Sequence, residues 1–408
     1  MKPLLPVDDA KARLLDAASP VTESELLPLS ACDGRVLAAD LPALLTQPPF
    51  DASAMDGYAL SAADAPAIGS VLTVIGQAAA GHAFEGTLGH GEAVRIFTGA
   101  PVPKGADAIL IQEDADRLDE NRIRTTFEVR VGQHIRQRGQ DFAEGETVLA
   151  AGRQLDFTAL TVAAAMNHAK LAVYRKPLIA ILATGDELLP PGSSPNPAQI
   201  IASNTFGVSA LAKNAGADVL DLGIIPDDDA LIRAAISKAI AAKADVLVTL
   251  GGASVGDHDL VQAALKAEGM QLDFWRIAMR PGKPLMVGAI GDMQVLGLPG
   301  NPVASLVCSL LFLEPLVRKI ARLAPMPRMG VSTTATALKA NDHRQDYVRA
   351  RLIVDDGQET VAEAYTKQDS SMMKILAHSD CLIVRPPNAP ELATGSQCPI
   401  IRFRAQNV

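Results

Sequence analysis

The chain has 408 residues, of which 48 % are apolar and 20 % charged, a balance that supplies well-filled cores and excludes a disordered polymer. Single cores stop growing at about 250 to 300 residues, so several compact units are expected. Its 46 acidic and 37 basic residues give a net charge of −9, which provides no overall attraction to nucleic acid or to an anionic membrane, so neither is expected as a partner.

The opening, Met1 to Leu15, carries one early Lys and then Asp8 and Asp9 where an export signal needs an unbroken apolar stretch, so a soluble, cytoplasmic protein is expected. The most apolar stretch late in the chain, Leu306 to Leu313, is too short to span a bilayer, which takes about 20 residues. Cys32, Cys308, Cys381 and Cys398 lie far apart without a CxxC spacing and read as reduced, buried thiols. The histidines lack the i, i+4 spacing of a helical metal site.

Residues 8–18 repeat apolar side chains at helical spacing up to Pro20, and so predict a short amphipathic helix. From 45 to 150 the runs are short and punctuated by Gly and Asp, which predicts a β-rich insert. Residues 157–173 form an Ala-rich helix candidate interrupted at Asn167 to Lys170, and Pro177 marks a boundary. Beyond it, apolar runs at 178–183, 218–225 and 245–250 alternate with helical patterns at 204–215, 229–243 and 258–268. Runs at 285–290 and 293–298 precede a last helix at 302–322. This alternation predicts a parallel sheet covered on both faces. After Pro325 and Pro327 short strands return, as expected of a small C-terminal β-domain.

Ligands of an open α/β sheet bind outside the carboxyl ends of the strands. Three loops there carry chemistry. Ala183-Thr184-Gly185-Asp186-Glu187 sets two carboxylates on a turn. Gly251-Gly252-Ala253-Ser254-Val255-Gly256-Asp257-His258-Asp259 joins a phosphate-cradling Gly-rich turn to acids that could hold a divalent metal. Pro299-Gly300-Asn301-Pro302 suits a helix start, with Asn301 at the N-cap and Pro302 at the first helical position. Each alone is better explained by an ordinary turn; their convergence on one edge carries the signal. Met279-Arg280-Pro281-Gly282-Lys283-Pro284 adds two cations around a stiff turn, suited to an oxyanion or simply to solvent. The segment from Pro48 to Ala59 concentrates prolines, a hydroxyl, carboxylates and aromatics.

These segments resemble one family, the molybdopterin molybdenumtransferases, known as MoeA in bacteria and as the E domain of gephyrin in animals. The resemblance runs through Gly34-Arg35-Val36-Leu37-Ala38, Ser53-Ala54-Met55-Asp56-Gly57-Tyr58-Ala59 and Arg95-Ile96-Phe97-Thr98-Gly99-Ala100-Pro101-Val102-Pro103. It continues through the 183–188 turn, the Gly-Gly-x-Ser-x-Gly block at 251–256, Arg280 to Pro284, and Gly297 to Val303, in the family's order.

The resemblance implies an α/β multidomain protein. A linking, dimerising domain would use 1–44 and 151–176, a β-rich insert domain 45–150, a MogA-like molybdopterin-binding α/β domain 177–326, and a C-terminal β-barrel 327–408. It also implies a homodimer whose active site is shared between subunits. The implied reaction takes adenylylated molybdopterin and molybdate, with Mg2+ or a similar cation, to molybdenum cofactor and AMP. The adenylyltransferase would stand upstream, and molybdoenzymes or their chaperones downstream.

Carried over by position, Asp56, Thr98 and Asp141 belong to the insert's side of the site, and Glu187, Asp227, Asp257 and Asp259 to the other. Glu187, Asp257 and Asp259 are the implied metal ligands, with Asp259 preferred over Asp257 for one family position. Gly251, Gly252, Ser254, Pro299, Gly300, Asn301 and Pro302 would contact the pterin nucleotide. Arg280, Lys283, Pro284, Arg349 and Ser370 would form the molybdate side. Three departures stand out: Arg280 where the family often has Lys, Gln140 in place of an acid, and Gln368-Asp369-Ser370 in place of Gln-Gly-Ser. Two alternatives are an adenylyltransferase, which resembles only 178–322, and a gephyrin-like scaffold, which would need no catalysis.

Overall fold

The structure, a computed structural model, describes residues 4–251, 260–355 and 359–404. It divides into two compact units, Leu26–Val173 and Met1–Glu25 with Tyr174–Val408.

In the Leu26–Val173 unit a six-stranded sheet runs in the order Ala108–Ile111, Gly57–Leu60, Glu92–Ile96, Val71–Ala78, Arg122–Thr125, Ala115–Arg117. Alternation sends Ala59, Val94, Ile96 and Ile109 to one face, and Leu60, Ala93, Leu110 and Ile123 to the other, and both sets are buried. Gly57 pairs with Ile96 on one side and Ile111 on the other. Its absent side chain matters, because a Cβ there would collide with the Leu110 carbonyl oxygen. A second core forms around the helix Phe157–Ala165, started by Asp156, whose carboxylate accepts the Ala159 amide at 2.8 Å. The 157–173 helix candidate is thus two elements: the helix ends at Ala165, Asn167 turns through a positive φ, and Lys170–Tyr174 is a strand.

In the other unit the sheet order is Asp218–Ile225, Leu178–Thr184, Val246–Leu250, Met293–Leu298, Met286–Ile290, Gln271–Trp275. The first four strands are parallel; the last two pair antiparallel, so the sheet is mixed where a parallel one was expected. Met286–Ile290 and Met293–Leu298 form a hairpin through Gly291-Asp292, and strand Gln271–Trp275 was not anticipated. Along the strand Leu178–Thr184, Ile179 and Ile181 face a core with Val208, Val303 and the N-terminal helix residues Val7, Ala10 and Leu14. Ala180 and Leu182 face the opposite core with Ile232, Ile236 and Val261. Burial of each Val, Leu or Ile side chain among them contributes about 1.5 to 3 kcal/mol. The helix expected at 302–322 is Pro302–Cys308, a π turn at Ser309–Leu313, and Glu314–Ile320, and a short helix Met373–Ala377 follows later in the chain.

The C-terminal strands close on themselves: Gln345–Asp355 pairs with Glu359–Ala364, then Met329–Thr334, Gln397–Arg402 and Cys381–Arg385, which pairs back with Gln345–Asp355. Closure leaves no open edge, and Ala350, Ala362, Ile383 and Ile400 fill the barrel. Met279–Arg280 pairs in parallel with Gln345 and Asp346, which brings the Arg280 turn onto the barrel. Among the described residues no helix is long and apolar enough to cross a membrane.

Candidate functional site

A cleft of about 910 Å³ opens at the carboxyl ends of Leu178–Thr184, Val246–Leu250 and Met293–Leu298. Of the sequence-predicted residues, Glu187, Asp227, Gly251, Pro284, Pro299, Gly300, Asn301 and Pro302 line it. Gly252, Ser254, Asp257 and Asp259 lie outside the described residues.

The acidic side is built by the first strand's exit. Asp186 accepts the Asp227 amide at 3.0 Å, which holds the loop after Asp218–Ile225 against the 185–187 turn and leaves the Glu187 and Asp227 carboxylates exposed. The Glu187 carbonyl accepts the Ile200 amide at 2.8 Å, and Leu188-Leu189 pairs with Ile200-Ile201 to wall the cleft. Asp228 is used structurally, as the N-cap accepting the Leu231 amide at 2.9 Å. Gly251 has φ +98° and would place a Cβ 2.9 Å from the Thr184 carbonyl oxygen, so only Gly lets this strand end approach the neighbouring turn.

The opposite wall differs from expectation in one respect. Asn301 occupies the N-cap position with Pro302 at N1, but its side chain makes no cap bond. Instead its amide donates to the Ser370 hydroxyl at 3.0 Å, and the Val303 amide donates to the Ser370 carbonyl at 3.2 Å. That helix start is therefore engaged by the 368–373 turn, and its first-turn N–H groups are not all free. Asn204 donates to the Gly300 carbonyl at 2.8 Å, which fixes the Pro299-Gly300 loop. Ser203, Asn204, Thr205, Ser371 and Met373 also line the cleft and escaped the sequence reading. The polar run Ser203-Asn204-Thr205 at a helix start was the signal available for three of them.

Asp369, beside Ser370, turns its carboxylate onto the Ser371 hydroxyl and amide, and these two bonds hold its pKa below the usual carboxylate value. Beneath that turn Arg349 is 1 % exposed. Its Nε donates to Gln368 at 3.2 Å and its Nη1 to the Met372 carbonyl at 3.3 Å, while buried Nη2 has no hydrogen-bond partner among the described residues. Burial lowers its pKa, and the Asp369 charge opposes that. Arg349 supports the turn and does not line the cleft.

Arg280 does not line it either. Its guanidinium pairs with Asp342 at 2.6 Å and with Asp346 at 3.4 Å. Arg344 foremost, through its hydrogen bonds, holds the Asp342 carboxyl far below its ordinary value, whereas burial pushes Asp346 up. Lys283 is exposed, and among the described residues no hydrogen bond or ion pair engages its ammonium.

In the Leu26–Val173 unit a separate cluster forms. Asp56 and Thr98 come together: the carboxylate accepts the Thr98 amide at 2.7 Å and its hydroxyl at 2.8 Å. Those bonds, the amide first, keep Asp56 ionised below the usual range. Asp141 sits in another turn, where its amide donates to the Gln47 carbonyl at 3.0 Å, and no described bond joins it to the pair. Among the described residues no three carboxylate, imidazole or thiol groups converge as a metal cage. The exposed oxygens of Glu187 and Asp227 nevertheless suit Mg2+, which is commonly held by one or two carboxylates together with substrate phosphates.

Comparison with known proteins agrees with this architecture. Residues 5–167 match the MoeA N-terminal region (domain I and II), 180–319 the probable molybdopterin binding domain, and 332–403 the MoeA C-terminal region (domain IV). The molybdopterin molybdenumtransferase of Haemophilus influenzae is 32 % identical over 403 residues, covering 98 % of this chain and 99 % of its own. Molybdopterin molybdenumtransferase 2 of Mycobacterium tuberculosis is 35 % identical over 396 residues, 95 % of this chain and 96 % of its own. The crystal structure of the molybdopterin biosynthesis MoeA protein from Pyrococcus horikosii superposes with a TM-score of 0.83 at 28 % identity, over 99 % of this chain and 100 % of that one. Strand-end cleft, closed barrel and sequence likeness agree over nearly the whole length: the chain belongs to the molybdopterin molybdenumtransferase family, transferases of molybdenum cofactor biosynthesis.

Proposed function

We propose that the protein inserts molybdenum from molybdate into adenylylated molybdopterin and releases AMP and molybdenum cofactor. The observation that carries this reading is the cleft of about 910 Å³ in which Glu187 and Asp227 face the Pro299 to Pro302 wall. It is wide enough for a pterin nucleotide, within the usual range for small-molecule sites. Gly251, Pro299, Gly300, Asn301 and Pro302, together with Gly252 and Ser254, hold the nucleotide. Lys283 supplies positive charge for molybdate, Arg280 and Pro284 fix its turn, and Arg349 fixes the turn that presents Ser370.

Glu187 holds Mg2+, together with Asp227 of the same cleft and with Asp259 or Asp257. Bound there, Mg2+ would polarise the phosphoanhydride that links pterin phosphate to AMP. The chain's own residues do the rest by position: the cleft orients the dithiolene toward molybdate and replaces a dilute encounter with an effective local concentration. Asp56 and Thr98, with Asp141, complete the site from the insert of a second copy in a homodimer. The setting is the cytoplasm, downstream of an adenylyltransferase and upstream of molybdoenzymes or their chaperones. An adenylyltransferase function accounts for 178–322 alone and leaves the insert and the barrel without a role.

The test is direct. Purified protein incubated with adenylylated molybdopterin, molybdate and magnesium should release AMP, and Glu187→Gln should bind the nucleotide while losing that release. A flat time course in the wild type with substrate shown to be bound would overturn the proposal.

A further inference from the structure

Arg95 occupies the strand Glu92–Ile96, opposite Tyr58 in the antiparallel ladder. Its guanidinium lies 5.0 Å from the Tyr58 ring centroid and 5.1 Å from that of Phe97. Nη1 donates to the Gly57 carbonyl at 3.2 Å and Nη2 to the Gln112 Oε1 at 2.6 Å. Gln112 in turn donates its backbone amide to the Asp56 carbonyl at 3.0 Å. The guanidinium therefore holds Gly57, which follows Asp56, Phe97, which precedes Thr98, and Gln112, which binds the Asp56 backbone.

We infer that Arg95 is the positioning residue of the Asp56–Thr98 pair: one planar cation fixes the three residues that border the carboxylate and hydroxyl, so that both meet substrate in a single geometry. This rests on the reading of Asp56 and Thr98 as part of the active site. The task needs an arginine. Two donors in one plane serve two acceptors while the faces of that plane stack on rings, and an ammonium offers a point charge with neither property. The guanidinium is also reachable, because a second cleft of about 610 Å³ is lined by Tyr58, Arg95, Phe97 and Gln112.

The full chain is assayed for AMP release as wild type, Arg95→Ala, Arg95→Lys and Asp56→Asn. Arg95→Ala should lower kcat by about tenfold to a hundredfold, the size expected of a misplaced catalytic group, with KM for molybdate unchanged. Guanidinium ion added below its denaturing range should restore part of that kcat through the open cleft. Arg95→Lys, which keeps the charge, should remain slow. Without substrate, hydrogen exchange at the Thr98 amide should quicken in Arg95→Ala, because that amide is held only while Asp56 stays in place.

Wild-type kcat in a folded Arg95→Lys or Arg95→Ala protein would overturn the inference, as would a loss of kcat with Thr98 exchange unchanged. Full turnover in Asp56→Asn would instead remove Asp56 from the site, and the inference with it.

Discussion

Asn301 donates its side-chain amide to the Ser370 hydroxyl at 3.0 Å, and so joins the loop after Met293–Leu298 to the turn before the barrel strand Cys381–Arg385. The bond trades one role for another, because an Asn preceding a helix usually caps it. With no cap bond to lose, Asn301→Ala should reduce stability by less than about 1 kcal/mol, the usual worth of a cap. It should still raise KM for the pterin nucleotide, since Ser370 and the Gly300 loop lose their common tether. Urea unfolding and AMP-release kinetics on the same preparation decide this: a stability loss of about 2 kcal/mol with unchanged KM would return Asn301 to a capping role.

Which parts were legible follows from what each signal encodes. The apolar run at 178–183 and the Gly-containing turns after it are local features, and the sheet with its strand-end cleft followed from them. Strand direction is not local: Met286–Ile290 and Met293–Leu298 look alike as apolar runs whether they lie parallel or form a hairpin. Gln271–Trp275 is an edge strand with Leu272 and Asp273 exposed, so its pattern is broken on one side. Asp56 and Thr98 were both singled out, but their pairing over 42 residues depends on the register that sets Gly57 against Ile96. The partners of Arg280 were invisible for the same reason, since Asp342 lies 62 residues away and meets it only through the barrel's contact with the turn.

That ion pair separates the two cations of the Arg280 to Pro284 turn. Lys283 has no engaged partner among the described residues, whereas Arg280 already faces Asp342 and Asp346. Lys283→Ala should therefore raise the molybdate concentration for half-maximal AMP release by about tenfold or more, the loss of one charge-assisted contact. Arg280→Ala should act more on stability, because it removes the cation that pairs with both Asp342 and half-buried Asp346. Molybdate titrations and thermal unfolding midpoints of both variants check the split; equal molybdate responses would show that the carboxylates release Arg280 to the anion.

The cysteines offer a test of the packing. Cys32, Cys308, Cys381 and Cys398 are all buried, and burial raises the thiol pKa of the last three, that of Cys381 to about 12. Because the thiolate is the reactive form, the native protein at pH 8 should give almost no colour with a chromogenic disulfide reagent. In denaturant all four thiols of the chain should react. Rapid titration of even one in the native state would place a core cysteine at the surface.

A shared site has a consequence that no single chain can mimic. If Asp56 of one copy and Glu187 of the other serve the same reaction, Asp56→Asn and Glu187→Gln should each be inactive as homodimers. In a heterodimer of the two, one site carries both lesions and the other carries neither. Two equivalent sites related by a two-fold axis then fix the yield: random exchange of equal amounts gives half heterodimers with half their sites intact, or about a quarter of wild-type activity. The loss in each parent is expected to be in turnover and not in folding, because both carboxylates lie at the surface end of their strands and only Asp56 holds a described side-chain bond. Mixing the purified variants, following AMP release over time and weighing the dimers by native mass spectrometry measures both terms together. Heterodimers present without recovered activity would mean that each site is built within one chain, and Asp56 would then have to be reassigned.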